Sequence, residues 1–362
     1  MTELYIGMMS GTSLDGVDAV VAECSDGARL VAGCHLPFAA ELRAELFALQ
    51  APTANEMHRS SVAANALSVQ YAQCVDRLLD DAGIAPNEIR AIGCHGQTVR
   101  HQPAHGYTVQ LVNGALLAEI TGIDVICDFR SRDIAAGGQG APLAPAFHAA
   151  RFSSTETARA IVNIGGIANI TGLPTLGRVT GFDCGPGNVL MDAWIGEHKG
   201  LAYDANGAWA LSGKSSAQLL ERLLAHEFFA LSPPKSTGRD TFNLVWLRSM
   251  LHGTERPEDV QATLLALTAR SILEAIEAHC AACQAIYVCG GGARNSALLA
   301  QLTAQAAGCQ VGTTDALGVA AEHVEALAFA WLAQRTLSAE AGNLPAVTGA
   351  RGARILGALY RA

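Results

Sequence analysis

Ala160-Ile161-Val162-Asn163-Ile164-Gly165-Gly166-Ile167-Ala168-Asn169-Ile170 reads as a β-strand, a tight glycine turn and a second strand. Shortly after it comes Gly181-Phe182-Asp183-Cys184-Gly185-Pro186-Gly187-Asn188, one carboxylate framed by residues that let backbone approach a ligand closely. A similar strand, turn and strand opens the chain: Leu4 to Gly7, the loop Ser10-Gly11-Thr12-Ser13-Leu14-Asp15-Gly16, then Val17 to Ala22. Glycine exposes backbone N–H groups and accepts positive φ, so such loops can close on phosphates. Two of them about half a chain apart suggest two related domains and point towards a nucleotide.

The order of elements repeats. In the first half the hairpin is followed by a helix over about 60–82, with Val62, Leu67, Tyr71, Val75, Leu78 and Leu79 at helical spacing and Gly83 as its stop. A strand Ile89 to Ile92 then runs into Gly93-Cys94-His95-Gly96-Gln97-Thr98. In the second half the hairpin is followed, after an insertion, by a helix over about 259–279 with Val260, Leu264, Leu265, Ile272 and Ile276 on its apolar face. A strand Ala285 to Cys289 then runs into Gly290-Gly291-Gly292-Ala293-Arg294-Asn295. This is the pattern of a duplicated α/β unit. The stretch 128–142 reads as a long polar loop between the halves, and a last helix over about 322–337 is expected to pack across the domain junction.

Length and composition narrow the classes. A chain of 362 residues, half of them hydrophobic, holds two or three domains with a large core. A net charge of -9 argues against a nucleic-acid partner but leaves small anions open, because backbone N–H groups bind them without formal charge. Met1-Thr2-Glu3-Leu4 lacks a basic leader region, and no run reaches the roughly 18 apolar residues of a membrane span. The ten cysteines are scattered, several within apolar runs (Cys94, Cys127, Cys289), which suits buried thiols in a reducing cytosol.

Several constellations carry chemistry. In the first loop Thr12 and Ser13 offer hydroxyls, and Asp15 and Asp18 could hold Mg2+ directly or through water. Gly290-Gly291-Gly292 follows a strand and opens a helix, a site for a phosphate or the edge of an adenosine. Asp183 is the candidate base, since a carboxylate beside phosphate loops can take a proton from an attacking hydroxyl or water; its competing role is an Asx turn at Asn188. His95, in a glycine loop after a strand, is a candidate substrate contact. Ser212-Gly213-Lys214-Ser215 fails the Walker spacing, and the lone Cys280-Ala281-Ala282-Cys283 is too weak to assign zinc.

Taken together the blocks resemble the anhydro-N-acetylmuramic acid kinase family. The likeness runs through Gly7 to Asp18, His95 to Thr98, Asp128 to Arg130, Gly137 to Pro142, Val162 to Asn169 and Gly181 to Asn188. It continues through Lys235-Ser236-Thr237-Gly238-Arg239-Asp240, Cys289 to Asn295, Glu325 to Phe329 and Asn343 to Ala350, nearly the whole chain. The resemblance implies two duplicated actin-like ATPase (ribonuclease H-like) domains with an interdomain cleft for ATP. The expected boundaries are 1–135, completed by 336–362, and 136–335.

The resemblance also implies an activity: ATP and water open the 1,6-anhydro ring of 1,6-anhydro-N-acetylmuramic acid and O6 is phosphorylated, in peptidoglycan recycling. Carried onto this chain, Gly11, Thr12, Ser13, Leu14, Asp15, Gly16, Val17 and Asp18 would hold ATP phosphates and Mg2+, with Asp15 as metal ligand. Asn163, Gly165 and Gly166 would form the opposing phosphate loop, and Gly290, Gly291 and Gly292 would lie near the adenosine. Asp183 would activate the water at C1, and Arg130, Glu325, His95, Gln97 and Arg239 would face the sugar. A cytoplasmic homodimer without nucleic-acid or membrane partners completes the expectation. The alternatives are a same-fold kinase for a different sugar or small acid, a non-catalytic ATP switch, and a glycosidase using Asp183 and Glu325.

Overall fold

The structure, a computed structural model, describes residues 3–11, 13–24, 27–280 and 282–362. Its strands are β1 (Leu4–Met9), β2 (Gly16–Glu23), β3 (Arg29–Pro37), β4 (Ile89–Cys94), β5 (Gln97–Gln102), β6 (Tyr107–Leu111), β7 (Val125–Cys127), β8 (Arg159–Ile164), β9 (Ile167–Leu173), β10 (Thr180–Pro186), β11 (Ala285–Cys289), β12 (Gln310–Thr313) and β13 (Ala358–Tyr360). The chain divides into two compact units, Met1–Arg151 with His323–Ala362, and Phe152–Glu322.

In the first unit β1, β2 and β3 form an antiparallel meander, β4 runs parallel to β1, β7 parallel to β4, and β13 closes the far edge antiparallel to β7. In the second unit β8, β9 and β10 form the meander, β11 runs parallel to β8 and β12 parallel to β11. Numbered from its own first strand, the second sheet reads 3-2-1-4-5 and the first reads 3-2-1-4-5-6, the same order extended by β13. The repeat inferred from the glycine hairpins is therefore a repeat of topology.

The Glu56–Ala82 helix buries Leu67, Tyr71, Val75, Leu78 and Leu79 against the first sheet, whereas Val62 is 53% exposed and belongs to the solvent face. It ends at Gly83, whose left-handed φ of 67° lets Gly83 N–H bond Asp80 O (3.2 Å) and Ile84 N–H bond Leu79 O (3.1 Å). The Pro257–His279 helix is preset by proline at its first turn and has Glu258 and Asp259 complementing its dipole there. It is buried on most sides, with Val260, Leu264, Leu265, Ile272 and Ile276 all in the second core.

Three expectations change. The last helix, Val324–Leu337, packs on the first unit's own sheet. Gly7 on β1 and Gly93 on β4 make this possible: a Cβ on either would overlap the carbonyl of Ala326 or Phe329, so helix backbone lies directly on strand backbone. That docking, with the Ala144–Phe152 helix, moves the unit boundaries to 151/152 and 322/323 from the 135/136 and 335/336 read from sequence. Finally, the stretch 128–142 is not simply a polar loop. It contains a short helix, Ser131–Ala135, and buries Phe129, Asp133 and Ile134. All ten cysteines are free thiols, and among the described residues no helix is long and apolar enough to cross a membrane.

Candidate active site

Parallel strands deliver their following loops to one edge of a sheet, where α/β folds bind ligands. In the first unit β1 delivers Ser10 and Gly11, β4 delivers His95 and Gly96, and β7 delivers Asp128 to Arg130. These loops brace one another. His95 N–H bonds Met8 O (3.0 Å), Ser10 Oγ lies 2.6 Å from Tyr71 Oη, and Gln97 Nε2 donates to Gly11 O (3.1 Å). Gln97 thus holds the first glycine loop, while its buried Oε1 has no protein partner.

Within that loop Ser13 Oγ donates to Asp15 Oδ1 (2.7 Å), and Asp15 is exposed. Asp18 is engaged with the His35 ring (2.9 Å). Leu14 and Val17 send their side chains into the core, so only their backbone can serve a ligand. A Cβ on Gly16 would overlap Leu36 O, so strand pairing itself demands that glycine. Thr12 lies outside the described residues. Asp15 with neighbouring hydroxyls is a hard-oxygen set that fits Mg2+. Among the described residues no three metal-ligating side chains cluster, so such an ion would take most ligands from phosphate and water.

Arg130 is the charged centre of the first unit. Its Nε and Nη2 both donate to His95 Nε2 (3.0 and 2.9 Å), and Nη1 donates to Gly140 O (2.7 Å). His95 therefore carries its proton on Nδ1, which is buried. Burial, and then the Arg130 charge, hold His95 well below the usual histidine pKa, so it is neutral. Burial lowers Arg130 to about 10, opposed by the nearby Glu325 and Asp133 carboxylates. Arg130 and His95 are thus in contact, with Glu325 near enough to act on the Arg130 charge.

In the second unit Asn163, Gly165, Gly166 and Gly290 to Gly292 converge at the carboxyl ends of β8 and β11. Asn188 N–H bonds Gly165 O (2.8 Å) and Gly187 N–H bonds Gly166 O (2.9 Å), fixing the hairpin turn to the start of the Val189–Lys199 helix. The glycines divide by role. A Cβ on Gly187 would overlap Gly165 O, one on Gly290 would overlap Asn163 Oδ1, and one on Gly292 would overlap Ile164. Among the described residues, a Cβ on Gly11, Gly165 or Gly291 would have its nearest neighbour beyond the adjoining residues at 3.6 Å (Ser13 Oγ), 3.7 Å (Ile167 O) and 3.8 Å (Asn188 Nδ2). The first set is required for packing; the second leaves room in front of backbone N–H groups, which fits phosphate oxygens. Asn163 Oδ1 is buried there without a protein donor.

Asp183 sits in β10 at a bulge, where the register slips between Asp183 and Gly185. The bulge, with Gly185 at φ 152°, aims the side chain. Asp183 N–H bonds Lys235 O (3.1 Å), and Asp183 Oδ2 accepts Thr237 N–H (2.9 Å). Burial raises its pKa from 3.8 to about 6, against the pull of the Thr237 N–H and the Lys235 charge. It is a carboxylate tuned to take a proton near neutrality. Lys235 and Thr237 were not picked out as site residues, because nothing local in a run some fifty residues away marks them as Asp183's holders. Arg239, on the same loop, is exposed. Lys214 is not in a phosphate loop: its N–H bonds Asp259 Oδ1 (2.7 Å) before the Ala217–Leu224 helix.

Two sheets of one strand order, each with glycine turns at its loop edge, define a duplicated actin-like fold. The (R)-2-hydroxyglutaryl-CoA dehydratase component A of Acidaminococcus fermentans shares this fold, with a TM-score of 0.51 at 12% identity over 91% of this chain and 97% of that one. A family model described as anhydro-N-acetylmuramic acid kinase matches residues 3–362. Proteins of that name from Nitrosomonas europaea and Bordetella pertussis are 55% identical over 361 residues and 56% identical over 366 residues. Each alignment covers 99% of this chain, with 99% and 96% of the respective relative. The chain belongs to the anhydro-N-acetylmuramic acid kinase family.

Proposed function

We propose that this enzyme uses ATP and water to open the 1,6-anhydro ring of 1,6-anhydro-N-acetylmuramic acid and phosphorylates O6, giving N-acetylmuramic acid 6-phosphate for peptidoglycan recycling. The observation that carries the chemistry is Asp183, a buried carboxylate held by the Thr237 N–H with its pKa raised to about 6. Asp183 takes the proton of a water attacking C1; the C1–O6 bond breaks, and O6 takes the γ-phosphoryl group as ADP leaves. Arg130 and Glu325 orient the sugar, with His95 behind Arg130 and Arg239 as a further contact. Backbone N–H groups at Gly11, Gly165 and Gly291 bind phosphate oxygens, and Asp15 would hold Mg2+, which when bound would supply charge neutralisation for the transferring group. A cytoplasmic location rests on the scattered cysteines and a homodimer on the family resemblance; light scattering in solution tests the second.

The direct test is incubation with Mg-ATP and the anhydro sugar, following ADP and the sugar's mass. ADP together with a gain of one water and one phosphoryl group supports the reading. ADP without change in the sugar refutes this substrate and leaves another acceptor, while ring opening without ADP makes the enzyme a glycosidase. A pair of glycine variants tests the phosphate assignment. Gly165→Ala should raise the KM for ATP about tenfold or more with little change in Tm, because its methyl enters space left for ligand. Gly292→Ala should instead lower stability by about 1–3 kcal/mol, because its methyl must displace Ile164. Thermal melts and ATP titrations separate the two.

A further inference from the structure

Two motifs remain outside the site just described, 137–142 and 343–350, and they meet at one side chain. Asp133 is completely buried. Its Oδ2 accepts Gly140 N–H (2.8 Å), and its Oδ1 accepts Asn343 Nδ2 (2.6 Å) and Thr348 Oγ1 (2.8 Å). Asn343 and Thr348 are themselves buried, at 4% and 1% exposure. A Cβ on Gly138 would overlap the Asp133 carboxylate, so that glycine keeps the place clear. The surrounding backbone follows the same clasp: Gln139 N–H bonds Thr348 O (2.8 Å), Arg351 N–H bonds Ala136 O (2.9 Å), and Asn343 Oδ1 accepts Arg354 N–H (2.7 Å). On its other side Gly140 presents its carbonyl to Arg130 Nη1 (2.7 Å).

We infer that Asp133 is a positioning residue for the sugar site: it ties the 343–354 segment to the turn at Gly140 and through that turn sets the direction of the Arg130 guanidinium. The inference rests on the reading that Arg130 contacts the sugar. A buried carboxylate meets its desolvation only with a full set of donors, and here the donors come from segments some two hundred residues apart in the chain. The C-terminal segment is therefore part of the substrate site although none of its residues need touch the substrate.

The test compares Asp133→Asn, Thr348→Val and Arg130→Ala in the full-length enzyme, reading kcat and separate KM values for sugar and ATP beside Tm. Asn at position 133 turns one acceptor into a donor facing donors, and Val at 348 removes a single hydroxyl. Each should raise the sugar KM, Asp133→Asn by about tenfold and Thr348→Val by less, with the ATP KM within about twofold. A lowered Tm with an unchanged sugar KM in both variants makes the cluster merely structural and overturns the inference. Should Asp133→Asn fail to fold, Thr348→Val decides alone. If Arg130→Ala leaves the sugar KM unchanged, the reading of Arg130 is wrong and the inference falls with it; if only Arg130→Ala raises it, that reading stands and Asp133 is excluded.

Discussion

Asp183→Asn should lower kcat by about 10²–10⁴-fold, the worth of a positioned base, with ATP affinity intact. Asparagine keeps an oxygen to accept the Thr237 N–H, so the bulge geometry survives the change. The same substitution should stabilise the fold. Asp183 has a folded pKa near 6 against 3.8 when unperturbed, so the native state binds its proton more tightly than the unfolded state. The stability this contributes is complete below pH 3.8 and is lost as pH rises through 6. At pH 8 the wild type thus carries an ionised buried carboxylate at a cost on the order of 3 kcal/mol, from which asparagine is exempt. The Tm difference between variant and wild type should grow as pH rises from about 4 to above 6 and be small below that window. In wild type, kcat/KM should rise through the same range as Asp183 ionises. Near-normal turnover by the variant would remove Asp183 from the role of base.

Such opposed effects are characteristic of a residue kept for chemistry at the expense of stability, and they bear on which features could be read from sequence. The two hairpins and their glycine turns were legible because turn chemistry is local: Gly165 and Gly166 must lie between β8 and β9 wherever the rest of the chain goes. Gly83 was legible for the same reason. Asp183 stood out through its glycine neighbours, although the bulge that aims it was not visible. Long-range partnerships were the losses. Gly7 and Gly93 look like ordinary strand glycines until Ala326 and Phe329 are brought against them, so the destination of the Val324–Leu337 helix, and with it the unit boundary, could not be foreseen. Asp133 stands in a stretch rich in polar and small residues, with Ile134 its one large apolar neighbour, and reads as loop; only Asn343 and Thr348 reveal it as buried.

Arg130→Lys should lower kcat/KM for the sugar nearly as far as Arg130→Ala, about 10²-fold or more, with the ATP KM unchanged. Lysine keeps the charge, but the structure uses the shape of the fork. Two edges of one planar guanidinium meet His95 Nε2 and Gly140 O at fixed angles, leaving two further N–H donors in a direction set by those contacts. An ammonium has three N–H donors but no planar fork, so it cannot hold both acceptors and keep its remaining donors in that fixed direction. Nor is His95 poised to compensate by taking a proton, since burial is the largest of the influences that hold it well below its usual pKa. If Arg130→Lys retained most of the activity while Arg130→Ala lost it, charge rather than orientation would be what the sugar reads. Steady-state kinetics on both variants, with the sugar and ATP varied separately, distinguish these outcomes.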